Sequence, residues 1–248
     1  MKKLMKYEWK KSLFSKYVIL VFTALAEILF LVGLFIDQKN KLTLTLGISG
    51  LFLCAAVGIV FIGIESLLTF SKDLSTKQSY MLFLTPRSSY QILGSKVMMN
   101  ALTLLLAGVF FTLLAAFDVS VMVAKFGGLK EMFRLLETFA NIQIDWNQLG
   151  PTGILVFADV LVSWLMTIVI GDLAIVLSAT LFNGKKFSRL ISFVLFIILS
   201  ILCSRILTLI PGSDSQTMKY ILVMAGGLVL TTVMYAITGW IMEKKLSV

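Results

Sequence analysis

Six apolar runs, residues 17–36, 44–70, 97–117, 153–182, 190–210 and 220–242, constrain this chain more than any other feature. A hydrocarbon core about 30 Å thick takes roughly 20 apolar residues of helix to cross. Lipid offers backbone N–H and C=O groups no partner, so each run must bond internally and is predicted to be a helix. With 58% hydrophobic and 14% charged residues among 248, the composition lies outside that of soluble domains. The expected fold class is an all-α polytopic membrane protein, a single domain of six transmembrane helices.

The basic residues orient this bundle. With both termini on the cytoplasmic side, the inner segments hold 15 Lys and Arg and the outer segments 6, while Arg205 lies within a span. The positive-inside bias therefore predicts cytoplasmic N and C termini, and the formal charge of +9 becomes chiefly a topology signal with some attraction to anionic lipid. Charges confined to short juxtamembrane pieces argue against nucleic acid as a partner. Six lysines and Trp9 precede the first run and no small-residue cleavage site follows it, so that run is expected to stay in the mature protein.

The polar pieces between runs carry the remaining information. Residues 1–16 place Met5, Trp9 and Leu13 on one stripe with Lys6, Lys10 and Lys11 around it, as in a helix lying in the inner interface, or else they form a basic leader without fixed structure. Residues 118–152 are expected to form an outer segment whose Leu129, Met132, Phe133, Leu136 and Ala140 recur at helical spacing, as an amphipathic helix that either caps the bundle or serves substrate exit. The connector 71–96, SKDLSTKQSYMLFLTPRSSYQILGSK, is more specific. Residues 74–85 allow a short helix that Pro86 stops, and Ser88 with Gln91 makes a capping box that starts the third span. Such a piece is either an ordinary loop or a short crosswise helix able to pass force from a cytoplasmic partner.

Few residues offer chemistry. No phosphate-binding loop of the form GxxxxGK[ST] occurs, because Gly184–Lys185 is preceded by Ala179 and followed by Lys186. Histidine is absent, and Cys54 and Cys203 both fall inside spans, which removes the usual metal ligands and nucleophile–base pairs. No catalytic residue, metal site or directly bound cofactor is expected.

Five ionisable residues lie inside spans, namely Glu27, Glu65, Asp159, Asp172 and Arg205, and each needs a partner, water or a proton there. At the helical rise, Asp159 and Arg205 come about 9 and 8 Å from the outer ends of their spans. They either pair at that depth or reach water separately. Glu65 is within reach of Lys72, Lys96 or Lys185 near the inner side, which favours a structural ion pair over a relay. Glu27 and Asp172 fall near mid-membrane with no cation at their depth, and either face a polar path or subunit seam or are protonated carboxyls bonded to neighbouring helices.

The chain resembles the membrane subunits of type-2 ABC exporters, which include antibiotic-peptide, drug, polysaccharide and sodium export permeases of bacteria. MKYEWKK is similar to their amphipathic leading helix, SYMLFLTPRSSYQILGSK to their apolar run, Pro, Ser and Q-I-x-x-x-K start of the third span, and six spans with both ends inside to their layout. The resemblance implies that residues 74–85 are a coupling helix seated on a separate ATP-binding subunit, with Leu74, Tyr80, Met81, Leu82, Phe83 and Leu84 packing and Lys72, Asp73, Lys77 and Arg87 as polar rim. It implies two such ATP-binding subunits, holding ATP and Mg, and a second permease, identical or paralogous, in a bacterial cytoplasmic membrane. Unlike some eukaryotic relatives, this chain has its outer bulk after the third span. Two other expectations compete: an ATP-independent transporter or channel using Glu27 and Asp172, and a carboxylate-using membrane enzyme dependent on Asp172.

Overall fold

A computed structural model of the chain describes residues 2–36, 41–75, 88–126, 128, 146–181, 188–210 and 216–246. Among these residues seven α-helices follow one another: α1 Lys2–Lys11, α2 Leu13–Phe35, α3 Lys41–Ser75, α4 Ser89–Phe126, α5 Trp146–Leu181, α6 Ser188–Thr208 and α7 Gln216–Ile241. A π-helical turn, Met242–Leu246, extends α7. From α2 onward, all six helices are long and apolar enough to cross a membrane.

The expected spans are all present, with shifted ends. The third was expected to stop at residue 117, yet α4 runs on to Phe126 and carries Asp118 inside it. Val119, Val121, Met122 and Val123 explain the extension, because they pack with Phe30 and Leu34 of α2. The fourth begins at Trp146 rather than residue 153, so the expected outer segment is helical at both ends. The stretch from Leu129 to Ala140 lies outside the described residues. At the N-terminus α1 is helical as anticipated, but the chain breaks at Ser12 and Leu13 starts α2 instead of completing the stripe of Met5 and Trp9. Residues 71–75 and 89–96 of the connector belong to α3 and α4, whereas residues 76–87 lie outside the described set. The capping prediction is met on its serine side, where Gln91 N–H donates to Ser88 Oγ at 3.4 Å.

The chain divides into two compact units. One comprises residues 1–9, 64–101 and 147–248 and centres on α5. This helix is apolar all round, and 56% of its most apolar window is buried against 6–28% in the other spans, as befits a helix enclosed by others. Leu173, Ile175 and Val176 pack with Phe70 of α3, Leu93 of α4 and Ile241 and Met242 at the end of α7. A second cluster joins Met166 and Ile170 to Cys203 of α6, with Leu230 and Met234 of α7 against it.

The other unit, residues 10–63 and 102–146, is built on a close α2–α3 hairpin. Gly33 lies against Leu44, Gly47 against Phe30, Gly50 against Ala26 and Gly58 against Ile19, so one index falls as the other rises, as in antiparallel helices. A Cβ at Gly47 would stand 2.5 Å from Phe30 Cα, and one at Gly33 2.6 Å from the Leu44 backbone nitrogen. Small residues let helix backbones approach in lipid, where dispersion contacts replace the hydrophobic effect. Outward-facing Phe22, Leu25, Phe52 and Val57 stay exposed, the surface a lipid solvent calls for. Gly47→Leu is expected to force the hairpin apart and to cost about 1–3 kcal/mol or more, read as a lower melting temperature of the detergent-purified protein; Gly108→Leu, where nothing lies within 4 Å, is the matched control.

Candidate functional site

The first unit holds a buried charge cluster around Lys96. Its Nζ lies 2.6 Å from Asp73 Oδ2 and 2.7 Å from Glu8 Oε1, with side-chain exposures of 5% for the lysine, 7% for the aspartate and 13% for the glutamate. The ammonium also stands 5.5 Å from the centre of the Phe70 ring. Helix geometry supplies the parts: Phe70 and Asp73 are three residues apart at the end of α3 and so share a face, Lys96 sits two turns into α4, and Glu8 is near the end of α1. Three helices thus meet on one ammonium.

Asp172 of α5 is the fourth member. It is 2% exposed, lies within electrostatic reach of Lys96, and has one oxygen, Oδ2, without a hydrogen-bond partner among the described residues. Its neighbour Gly171 lies against Leu67 of α3, whose side chain a Cβ there would meet at 2.5 Å. Two carboxylates therefore bond one ammonium and a third carboxyl feels its charge, with Phe70 of the unit's apolar core beside it.

A second link ties the start of α4 to the end of α7. Tyr235 Oη donates to the Tyr90 carbonyl at 2.6 Å, and Tyr90 Oη donates to the Ala236 carbonyl at 3.4 Å. The Tyr90 ring lies directly on Gly239, in space that a Cβ would occupy. Further along α4, Trp164 Nε1 of α5 donates to Asn100 Oδ1 at 2.9 Å. The stems of the 71–96 connector are therefore anchored on both sides, Asp73 and Lys96 to each other and to α1, Tyr90 to α7.

The anticipated site residues distribute unevenly about this cluster. Lys96 is engaged by Glu8 and Asp73, which the expectation of a Glu65 pair did not foresee; Glu65 itself is half-buried. Asp73 is buried in the chain's own ion cluster rather than standing on an outward polar rim, and Leu74 packs against the unit's core. Lys72 is exposed. Lys77, Tyr80, Met81, Leu82, Phe83, Leu84 and Arg87 lie outside the described residues. Asp159 shares a pocket of about 300 Å³ with Lys219, Tyr220 and Val223. Arg205 is exposed and forms no ion pair among the described residues.

In the other unit Glu27 has a partner that the sequence reading placed outside the membrane. Its carboxyl stands beside that of Asp118. Asp118 is 8% exposed, and no hydrogen-bond donor from another side chain or the backbone reaches Glu27 Oε1, Glu27 Oε2 or Asp118 Oδ1 among the described residues. Among the described residues no cation is bonded to these three oxygens. Among the described residues, no group of three or more His, Cys, Asp or Glu is arranged to hold a metal ion.

Comparison with protein-family models, with curated proteins and with solved structures finds no match.

Removing one member of a buried ion pair leaves its partners charged in a poor solvent, at a cost of about 3–5 kcal/mol, whereas removing all members together is nearly neutral. Lys96→Met is thus expected to lower the melting temperature sharply, and the triple change Glu8→Gln, Asp73→Asn and Lys96→Met to recover most of the loss. For the acid pair the sign is opposite. Glu27→Gln supplies Asp118 with an N–H donor and is expected to raise thermal stability by about 1 kcal/mol, measured in the same melting assay.

Proposed function

We propose that this chain is the transmembrane permease subunit of an ATP-driven exporter of the type-2 ABC class, forming half of a translocation path. Both termini and the connector 71–96 face the cytoplasm of a bacterium. Two separate ATP-binding subunits, carrying ATP and Mg, dock on that connector, and a second permease, identical or paralogous, completes the path. The chain itself hydrolyses nothing. Its cargo is amphipathic or hydrophobic, such as a peptide, lipid or lipophilic drug.

The observation that carries this reading is the Lys96 cluster. A subunit without its own energy source must take mechanical work from a partner through a stiff element, and coupling between distant sites requires contiguous rigid contacts. Asp73 precedes residues 76–87 and Lys96 follows them, and the two are joined at 2.6 Å. A push on the connector is then delivered to α3 and α4 as one body, to α1 through Glu8, and to the enclosed helix α5 at Asp172. Met81, Leu82 and Phe83, the most apolar part of the connector, supply the kind of anchor a protein interface uses.

A second reading, ion-coupled transport without ATP, is favoured by one specific finding: Glu27, Asp118 and Asp172 are carboxyls inside membrane-length helices, and among the described residues both Glu27 oxygens, Asp118 Oδ1 and Asp172 Oδ2 are buried without a hydrogen-bond partner. The two readings separate experimentally. Tagged full-length chain purified from its native membranes is expected to bring down an ATP-hydrolysing subunit, and Met81→Asp or Leu82→Asp to weaken that association at least about 30-fold, as loss of an interface hot spot does. Unchanged association and ATP hydrolysis in these variants would overturn the exporter reading; transport lost in Glu27→Gln with Asp172→Asn, but unaffected at Met81, would establish the other.

A further inference from the structure

At the start of α7, Lys219, Tyr220 and Val223 share with Asp159 of α5 a pocket of about 300 Å³. Sites for small molecules occupy about 300–1,000 Å³, so this one suits a ligand at the small end. All four residues belong to one compact unit. Lys219 is exposed, Asp159 and Tyr220 are half-buried, and none of the three forms an ion pair or side-chain hydrogen bond among the described residues. A carboxylate and an ammonium thus face one cavity without closing on each other.

The helix register sets their spacing. Gly227 of α7 lies against Val162 of α5, where a Cβ would meet the valine at 3.1 Å. The pocket joins lower-numbered residues of both helices, so α5 and α7 run in parallel and Asp159 comes level with Met224. Lys219 stands five residues nearer the start of α7, about 7 Å along the axis. A single α-amino acid, its ammonium and carboxylate one carbon apart, bridges about 8 Å between an acid and a lysine when each end makes a contact of about 2.8 Å. Tyr220 lies between the two charges in level, with a hydroxyl and an aromatic face to offer, and Val223 adds apolar wall beside the acid. Lys219 is nearest the end of the span and Asp159 is deeper, an order that a phosphatidylethanolamine head, with its ammonium outermost, does not match.

We infer that this pocket binds an apolar α-amino acid as its zwitterion, the ammonium on Asp159, the carboxylate on Lys219 and the side chain against Val223. An amine alone brings a second cation to Lys219, and a carboxylate alone brings a second anion to Asp159. An uncharged molecule serves neither. In the orientation proposed above the pocket opens on the outer face, but binding rests on these four residues and not on the exporter reading.

The test uses the full chain in detergent, titrated by calorimetry with L-leucine, with 3-methylbutylamine, which lacks the carboxylate, and with 4-methylpentanoate, which lacks the ammonium. Leucine is expected to bind at least about tenfold more tightly than either, since a hydrogen bond to a charged group is worth that much or more. Leucyl-leucine, whose charges stand further apart, should bind more weakly than leucine. Lys219→Gln should bring leucine down to the affinity of the amine, and Asp159→Asn to that of 4-methylpentanoate. Lys244→Gln, whose ammonium lies over the Trp240 ring at the other end of α7, should change nothing. Leucine binding no tighter than its two truncated analogues, unaltered in Asp159→Asn or Lys219→Gln, or absent altogether would each overturn the site.

Discussion

A buried ammonium has to be neutralised where it stands, and Lys96 imposes that requirement on three helices at once. The desolvation penalty of a lysine in an apolar shell is several kcal/mol, and its attraction to carboxylates offsets this only when geometry is close. Contacts of 2.6 and 2.7 Å meet the condition. Because the partners come from α1 and α3, neither helix can shift by even a few ångströms at this end without exposing the lysine's charge to hydrocarbon. The cluster consequently sets the mutual position of α1, the end of α3 and the start of α4, and the Phe70, Leu93 and Met242 core closes around it.

The excess of carboxyl groups gives the cluster a direction. Glu8 and Asp73 both bond Lys96, so Asp172 receives its electrostatic influence without a bond at Oδ2. The Tyr90 and Tyr235 bonds, by contrast, use backbone carbonyls and the close seat at Gly239, which offer no substitute partners. One side of the connector stem is held through backbone carbonyls and the other through charge.

Much of the fold was legible in the sequence, because a bilayer leaves a hydrophobic run of 20 residues one option. All six runs are helices, and Ser88 starts α4 as its capping pattern suggested. The missed carboxyl pair traces to one cue read too literally. Asp118 was taken as the outer limit of the third span, although Val119, Val121, Met122 and Val123 beyond it are as apolar as what precedes. That single boundary placed Asp118 outside the membrane and left Glu27 without its neighbour. The Lys96 cluster failed to show for a different reason: Glu8 and Lys96 are 88 residues apart, and nothing local in a basic leading helix singles out its one glutamate.

The two units also show how the same solvent treats shape and charge differently. In the hairpin of α2 and α3 the glycines at 33 and 47 trade side-chain volume for backbone proximity, and around Ile19 and Gly58 the same two helices border an open apolar groove. In the other unit an ammonium in the interior beside an empty groove would be solvated by neither lipid nor protein, and Lys96 is met by Glu8 and Asp73 instead. An apolar groove can therefore lie open, while the Lys96 ammonium is enclosed and satisfied by the chain itself. That division explains why the groove is lined from helices lying side by side in sequence, with only local contacts to arrange, whereas the charge cluster draws one residue from each of four helices spread from Glu8 to Asp172.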